Sequence, residues 1–260
     1  MRNSWIITSA AAVLVATTCA LSAAVKDVPY PAVKVELGEA YTPDAAFEKL
    51  RKAFAEAVQK KDAQALAGLV GPTFLWLSEG DINEQFDFGR DALHNFKVVF
   101  GFREAGKDAD GAVPDGPFWD TLVEFSNEKS YYRAGTSLVC GPTAATIADE
   151  NAFERAKQRI GADESIEWYF AIADTPAMAA PGGAGTPVGR VNQVALPVVS
   201  VHPPQQGQSP PPVTHLQVLL PIGKRGWIPV SAARPLVTDR LCYALTAGGD
   251  WKISAFDQSE

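Results

Sequence analysis

Residues 215–230 of the chain read HLQVLLPIGKRGWIPV, and residues 239–256 read DRLCYALTAGGDWKISAF. The apolar runs in both stretches are rich in β-branched and aromatic residues, and the breaks between them contain Gly, Pro or Asp. Short apolar runs with such breaks are typical of antiparallel strands joined by tight turns. The pattern therefore predicts that the last part of the chain forms a small antiparallel β-structure.

The turn in the first stretch is similar to a hairpin of bacterial SH3-like domains. A strand is followed by Gly-Lys-Arg-Gly at 223–226 and then by Trp227, and the resemblance extends roughly over residues 188–256. It implies a small antiparallel SH3-like β-barrel, to which we assign residues 166–258. In those domains the aromatic residue after the second glycine enters the core of the barrel.

The same resemblance implies a binding role. Small β-barrels bind ligands through clefts between their loops, so we expect a cleft between the Pro-rich loop 203–213 and the hairpin turn. The cleft residues that we predict on the hairpin are Gly223, Lys224, Arg225 and Trp227. The ligand classes implied are a peptidoglycan peptide or another protein of the cell envelope.

The start of the chain has the pattern of a signal peptide. Arg2 is followed by an uncharged stretch that reaches to Lys26, and small residues occupy positions 22–24. This pattern predicts a periplasmic or secreted protein from which residues 1–24 are removed, leaving no integral membrane span. The alternative is an uncleaved leader that anchors the protein in the membrane.

The charge of the chain argues against two classes of partner. The net charge is −7, and the lysine and arginine residues are scattered along the sequence. A surface that follows a phosphate backbone needs clustered basic residues, so we predict no nucleic-acid partner. An acidic protein is also a poor ligand for an anionic membrane surface.

The cysteines predict one disulfide. Of the three cysteines in the sequence, Cys19 lies in the predicted leader, which leaves Cys140 and Cys242. An even pair in an oxidising compartment is most simply a disulfide. Closing so long a loop stabilises a fold by about 4–5 kcal/mol in the chain-entropy model. The alternative is a pair of buried free thiols.

The region before the β-structure has apolar residues at helical spacing. After an irregular, Pro-containing segment at 25–41, Phe47 and Leu50 begin the apolar face of an amphipathic helix for which Thr42 is the predicted N-cap. We therefore predict an α+β protein in which an N-terminal α-helical domain, residues 42–160, precedes the barrel. The chain as a whole resembles exported bacterial proteins with a helical region before an SH3-like domain.

A second resemblance covers two helices of this region. Residues 54–74 read FAEAVQKKDAQALAGLVGPTF, which is similar to the opening of NTF2-like (SnoaL-like) domains. This resemblance implies a small-molecule binder or an enzyme in the N-terminal half. It requires three or more long antiparallel strands between residues 73 and 140, where the helical spacing of the apolar residues predicts mainly helices instead.

The sequence contains no recognisable catalytic, cofactor-binding or metal-binding motif. The three histidines, His94, His202 and His215, have no second His or Cys at metal-ligand spacing close to them. The acidic stretch that begins at Asp81 has Phe86 where a calcium loop needs Gly. Nucleophile and phosphate-binding motifs are also absent from the sequence. We therefore predict a non-catalytic binding protein without a cofactor or metal.

Overall fold

The computed structural model describes residues 25–78, 81–100, 116–183, 185–205 and 211–258, and the predicted signal peptide lies outside them. The described residues form five α-helices and fifteen strands. The helices are α1 (Ala45–Lys60), α2 (Ala63–Ala67), α3 (Ala92–Val99), α4 (Gly116–Ser126) and α5 (Glu150–Ile160). The strands are β1 (Val35–Leu37), β2 (Val70–Ser78), β3 (Asp81–Ile82), β4 (Tyr132–Arg133), β5 (Leu138–Gly141), β6 (Ala145–Ile147), β7 (Trp168–Ala171), β8 (Thr175–Met178), β9 (Pro187–Val191), β10 (Ala195–His202), β11 (His215–Leu219), β12 (Arg225–Pro229), β13 (Ala233–Pro235), β14 (Arg240–Leu245) and β15 (Trp251–Gln258). None of the described helices is both long enough and apolar enough to cross a bilayer.

Helix α1 follows the apolar spacing of its sequence but begins later than predicted. Its N-cap is Asp44, whose side chain accepts a hydrogen bond of 2.8 Å from the Phe47 N–H. Thr42 therefore lies before the cap. The buried residues recur every three or four positions, as one face of a helix requires, and are Phe47, Leu50, Phe54, Ala57 and Val58.

A six-stranded sheet is built from strands that are far apart in the sequence. Its order is β3-β2-β15-β14-β5-β4, so the last strand of the chain lies at the centre, beside an early strand. β15 runs parallel to β2, and the other neighbouring strands of this sheet are antiparallel. The sheet is therefore incomplete until the end of the chain has been added.

An aromatic core lies between this sheet and the first helices. α1 and α3 contact the sheet directly, and α4 packs on α1. The Phe47 ring is at the centre, with ring-centroid distances of 5.0 Å to Tyr131 and 5.2 Å to both Tyr243 and Trp251. All the buried residues of this core come from the ranges 41–139 and 241–256.

The segment between β5 and β14 forms most of a second unit. Its seven-stranded sheet has the order β13-β7-β10-β11-β12-β8-β9, with antiparallel neighbours throughout. A two-stranded sheet of β1 and β6 and the helix α5 pack beside it, around Val35, Ile160 and Trp168. The sequence of the second unit thus interrupts that of the first.

The predicted fold class, an N-terminal α-helical domain followed by a small antiparallel SH3-like β-barrel, is wrong. The described chain is predominantly β, in three sheets, and its edge strands β13 and β9 do not pair to close a barrel. Helical spacing was a correct guide to α1, α3 and α4, but it did not reveal β2 or β5 around them. The β14–β15 hairpin, which we assigned to the barrel, joins the helices instead, because Trp251 and Phe256 are buried in their aromatic core.

Candidate functional site

Cys140 and Cys242 form the predicted disulfide. The two residues are directly opposite one another on β5 and β14, with their Cα atoms 4.0 Å apart. Both are buried, and Ala255 packs beside them. The disulfide therefore connects neighbouring strands of one sheet, whereas the predicted domain bounds, 42–160 and 166–258, placed its two cysteines in a helical domain and in a barrel.

The tip of the predicted cleft hairpin is in contact with the chain's own N-terminal segment, residues 25–30. The Nε atom of Arg225 donates a hydrogen bond of 2.7 Å to the Asp27 carboxylate. A Cβ atom placed on Gly223, whose φ is +76°, would lie 2.7 Å from the backbone nitrogen of Pro29. Lys224 is exposed. Two of the four predicted cleft residues thus hold the N-terminal segment in place.

Two hydrogen bonds from Tyr30 hold the end of this N-terminal segment against the second unit. Its hydroxyl donates a hydrogen bond of 2.7 Å to the backbone oxygen of Leu219, and its backbone N–H donates to the oxygen of Pro221. Burial raises the pKa of the Tyr30 hydroxyl well above its usual range, so the group stays a donor. Residues 25–30 are therefore an integral part of the second unit.

Trp227, the fourth predicted cleft residue, lies on the outer face of the seven-stranded sheet. Its neighbours Gly226 and Ile228 are buried on the inner face, while the Trp227 ring is half-buried. The ring lies 6.0 Å from that of His202, between centroids. The resemblance to SH3-like domains implied a core position for this ring, and alternation along the strand places it on the opposite face.

An open groove of about 1230 Å³ is bordered by β6, α5 and the segments around β7 and β13. Its floor contains the Phe153 and Trp168 rings, whose centroids are 4.8 Å apart in an edge-to-face arrangement. The apolar side chains that line it are Ala145, Ile147, Phe153, Ile166, Trp168, Leu236 and Val237. A concave site with an apolar floor is the usual form of a ligand-binding site in proteins.

One side of the groove is a strand edge. Within the described residues β6 pairs only with β1. The Ala148 N–H donates a hydrogen bond to the oxygen of Lys34, and the Ala144 oxygen accepts one from the Gly38 N–H, so both groups are directed towards β1. Because alternate residues of an antiparallel pair direct their backbone groups to opposite sides, Ala145 and Ile147 direct theirs away from β1. Both residues line the groove, so an extended peptide there would find backbone donors and acceptors.

The rim of the groove is acidic. Four exposed carboxylates are among its lining residues: Glu150, Asp163, Glu164 and Glu167. Of the lining residues that the structure describes, one is basic: Lys157, which is already paired with Glu154 and whose Nζ atom lies 5.0 Å from the centroid of the Phe153 ring. Burial, and secondarily the charge of Glu167, raise the pKa of Tyr169 at the same rim. The groove is therefore suited to a ligand that is both apolar and cationic.

The space between the first helices and the six-stranded sheet is filled by side chains. Phe47, Phe74 and Tyr243 are almost completely buried there. Burial raises the pKa of Tyr243 well above its ordinary value, and burial also raises that of Tyr131, against the opposing effect of Arg51. These tyrosines are therefore neutral parts of the packing.

The groove was not predicted from the sequence. Its lining residues come from the separate ranges 145–157, 163–169 and 235–237, and no motif connects them. In the described part of the chain, no three His, Cys, Asp or Glu residues form a group that could hold a metal ion. No family model, curated protein or solved structure matches this chain. The function is therefore argued from the groove itself.

Proposed function

We propose that the protein binds an extended, basic and partly apolar segment of another cell-envelope protein in the groove between β6 and α5. The observation that carries this proposal is the combination of an aromatic floor with a rim of four carboxylates and one already paired lysine. The free edge of β6 supports an extended conformation for the ligand, because strand addition satisfies its backbone groups.

Charge favours a segment of an envelope protein over the other ligand class that we expected, the peptidoglycan peptide. The stem peptide of peptidoglycan carries carboxylates, which the acidic rim would repel. Lysine and arginine side chains are attracted to the same rim, and their cationic ends also suit the faces of aromatic rings. The position of Lys157 over the Phe153 ring is an example of such a contact within the chain.

An extracytoplasmic location supports the choice of an envelope partner. Disulfides are rare in reducing compartments, and Cys140 and Cys242 form one here. We infer that the protein is periplasmic or secreted, after removal of residues 1–24. Intact mass of the protein purified from the periplasm tests this inference directly. A retained leader would overturn it.

The alternative of an NTF2-like small-molecule binder is supported only by architecture. A helix pair, α1 and α2, precedes a sheet whose strands include β2, β5, β14 and β15. In such domains the ligand would lie between helices and sheet, where this chain places Phe47 and Tyr243 with almost no exposed surface. The groove of the second unit is therefore the better candidate.

Binding of two labelled peptides tests the proposed function. An eight-residue peptide of alternating lysine and valine should bind the protein, as measured by fluorescence polarisation, and a glutamate–valine peptide should not. Glu164→Lys combined with Glu167→Lys should weaken binding of the lysine peptide about tenfold at low salt, because rim charges dominate attraction. Val237→Ser removes an exposed apolar side chain from the groove lining without changing the charge, and it should also weaken binding.

Glu84→Lys combined with Glu124→Lys is the matched control, since it reverses two exposed carboxylates outside the groove. This variant should bind the lysine peptide as the wild-type protein does. Equal weakening by this control and by Glu164→Lys/Glu167→Lys would reduce the effect to net charge and overturn the groove as the site. Retention of the wild-type protein on purified peptidoglycan, lost in Val237→Ser, would favour the cell-wall peptide instead.

A further inference from the structure

Two histidines that are far from metal-ligand spacing in the sequence are neighbours in the fold. His202 ends β10 and His215 begins β11, and the antiparallel register places them directly opposite one another. Their ring centroids are 6.4 Å apart. Side chains directly opposite on adjacent strands have Cβ atoms about 4.5–5.5 Å apart, so both imidazoles can reach one point.

The pair lies on the outer face of the seven-stranded sheet. Leu216 and Val218 point into the core from β11, which leaves His215 and Gln217 on the opposite face. His202 is exposed, and no described residue forms a hydrogen bond with its ring. His215 is half-buried, so an ion from solution reaches the pair from the side of His202.

We propose that His202 and His215 together chelate one divalent transition-metal ion, with Cu²⁺ held most tightly. Neutral imidazole is a good ligand for copper, nickel and zinc, and the order of affinities for a given site peaks at copper. Two protein ligands leave coordination positions for water or for a further ligand. The site is distinct from the groove, because neither histidine is among the groove's lining residues.

Metal binding requires one hydrogen bond of His215 to be exchanged. The Nε2 atom of His215 accepts a hydrogen bond of 3.1 Å from the Gly182 N–H, and its Nδ1 atom lies 3.0 Å from Thr214 Oγ1. The ion therefore takes the place of a backbone donor or a hydroxyl at one of these nitrogens. Either exchange lowers the affinity below that of a preformed site.

Trp227 provides a reporter beside the pair. Its ring centroid is 6.0 Å from that of His202, so a bound paramagnetic ion would lie within a few side-chain lengths of the indole. Cu²⁺ in this position is expected to quench the fluorescence of Trp227. The chain has six tryptophans, and the variant Trp227→Phe assigns the quenched signal to this ring.

The test is a calorimetric and fluorescence titration of the full-length protein with copper sulfate in a non-chelating buffer. One equivalent of Cu²⁺ should bind, with quenching that is lost in Trp227→Phe. His202→Ala and His215→Ala should each weaken binding by about tenfold or more. The electron paramagnetic resonance spectrum of the bound Cu²⁺ should show splitting from two nitrogen ligands.

The double variant His202→Ala/His215→Ala retains His94 and every carboxylate, so any binding that remains belongs to other sites. Unchanged stoichiometry and affinity in the double variant would overturn the proposal. Unchanged affinity in either single variant would also overturn it, because chelation requires both rings. Circular dichroism of each variant verifies that the sheet is retained.

Discussion

At the scale of single residues, Asp44 shows what spacing alone did not reveal. Apolar periodicity placed α1 correctly, but the N-cap that we predicted, Thr42, lies two residues before the observed one. Thr42 has the right residue type, yet it is two residues too far from the helix to reach its first free N–H groups. The Asp44 carboxylate does reach the Phe47 N–H.

Asp44→Ala should lower the free energy of unfolding by about 1 kcal/mol, a typical value for loss of an N-cap. Urea denaturation at neutral pH measures the change. Thr42→Ala is the control and should leave the midpoint unchanged. Equal losses in the two variants would show that the cap is not at Asp44.

The contribution of Asp44 should also depend on pH. The hydrogen bond from the Phe47 N–H holds the pKa of Asp44 below its ordinary value. A carboxylate with a lowered folded-state pKa stabilises the fold fully above its unfolded pKa of about 3.9, and this stabilisation declines as the pH falls through the folded-state value. The difference between wild type and Asp44→Ala should therefore shrink in acid.

A comparison of alanine substitutions at Gly223 and Gly249 separates the energetic cost of the contact with the N-terminal segment from the cost of a left-handed backbone. Both have positive φ, +76° and +84°, but only Gly223 has neighbouring atoms where a Cβ would lie. Gly249→Ala should cost about 1–2 kcal/mol for the left-handed backbone alone. Gly223→Ala should cost about 1–3 kcal/mol more, because residues 28–29 must move. Similar thermal midpoints for the two variants would contradict the contact.

At the scale of elements, the strands of the chain's end were easier to recognise than to place. The apolar runs and turn residues around β14 and β15 identify them as strands, but they carry no information about the sheet that receives these strands. Trp251 satisfies the pattern equally well in a barrel and against Phe47. The pairing of Cys140 with Cys242, which compartment and counting predicted, was the one long-range contact available from the sequence.

The disulfide should contribute substantially to stability, since it closes a loop with a sequence separation of 102 residues. Cys140→Ala combined with Cys242→Ala should lower the free energy of unfolding by about 4 kcal/mol in the chain-entropy model. Urea denaturation with and without reductant measures it. Reductant should destabilise the wild-type protein and leave the double variant unaffected. Equal stability of the wild-type protein with and without reductant would contradict a stabilising disulfide.

At the scale of the whole molecule, the two units have separate cores. Among the described residues, the aromatic core of the first unit contains none between Val139 and Leu241, and the cores of the second unit contain none of its members. A linear reading of the sequence divides the chain once, between the predicted helical domain that ends at residue 160 and the predicted barrel that begins at residue 166. The actual arrangement, with one unit interrupting the other, has no signal in local composition.

Excision of the interrupting segment tests this arrangement. Gly141 and Leu241 are directly opposite on β5 and β14, so a two-residue Asn-Gly turn can replace residues 142–240. This variant should unfold cooperatively and keep the circular dichroism of α1, α2, α3 and α4, because α5 is the one described α-helix that the excision removes. Truncation after residue 165, at the predicted boundary, removes β15 and should not fold. Folding of the truncated chain alone would refute the arrangement.

Because β15 lies at the centre of the six-stranded sheet, this sheet can be completed only after the ribosome has synthesised the last strand of the chain. A polypeptide is made from its N-terminus, so β2 and the first helices emerge long before the strand that separates β2 from β14. Contacts between such distant segments form slowly. A product of premature termination therefore cannot bury its aromatic side chains, and it remains exposed to chaperones and proteases from the start.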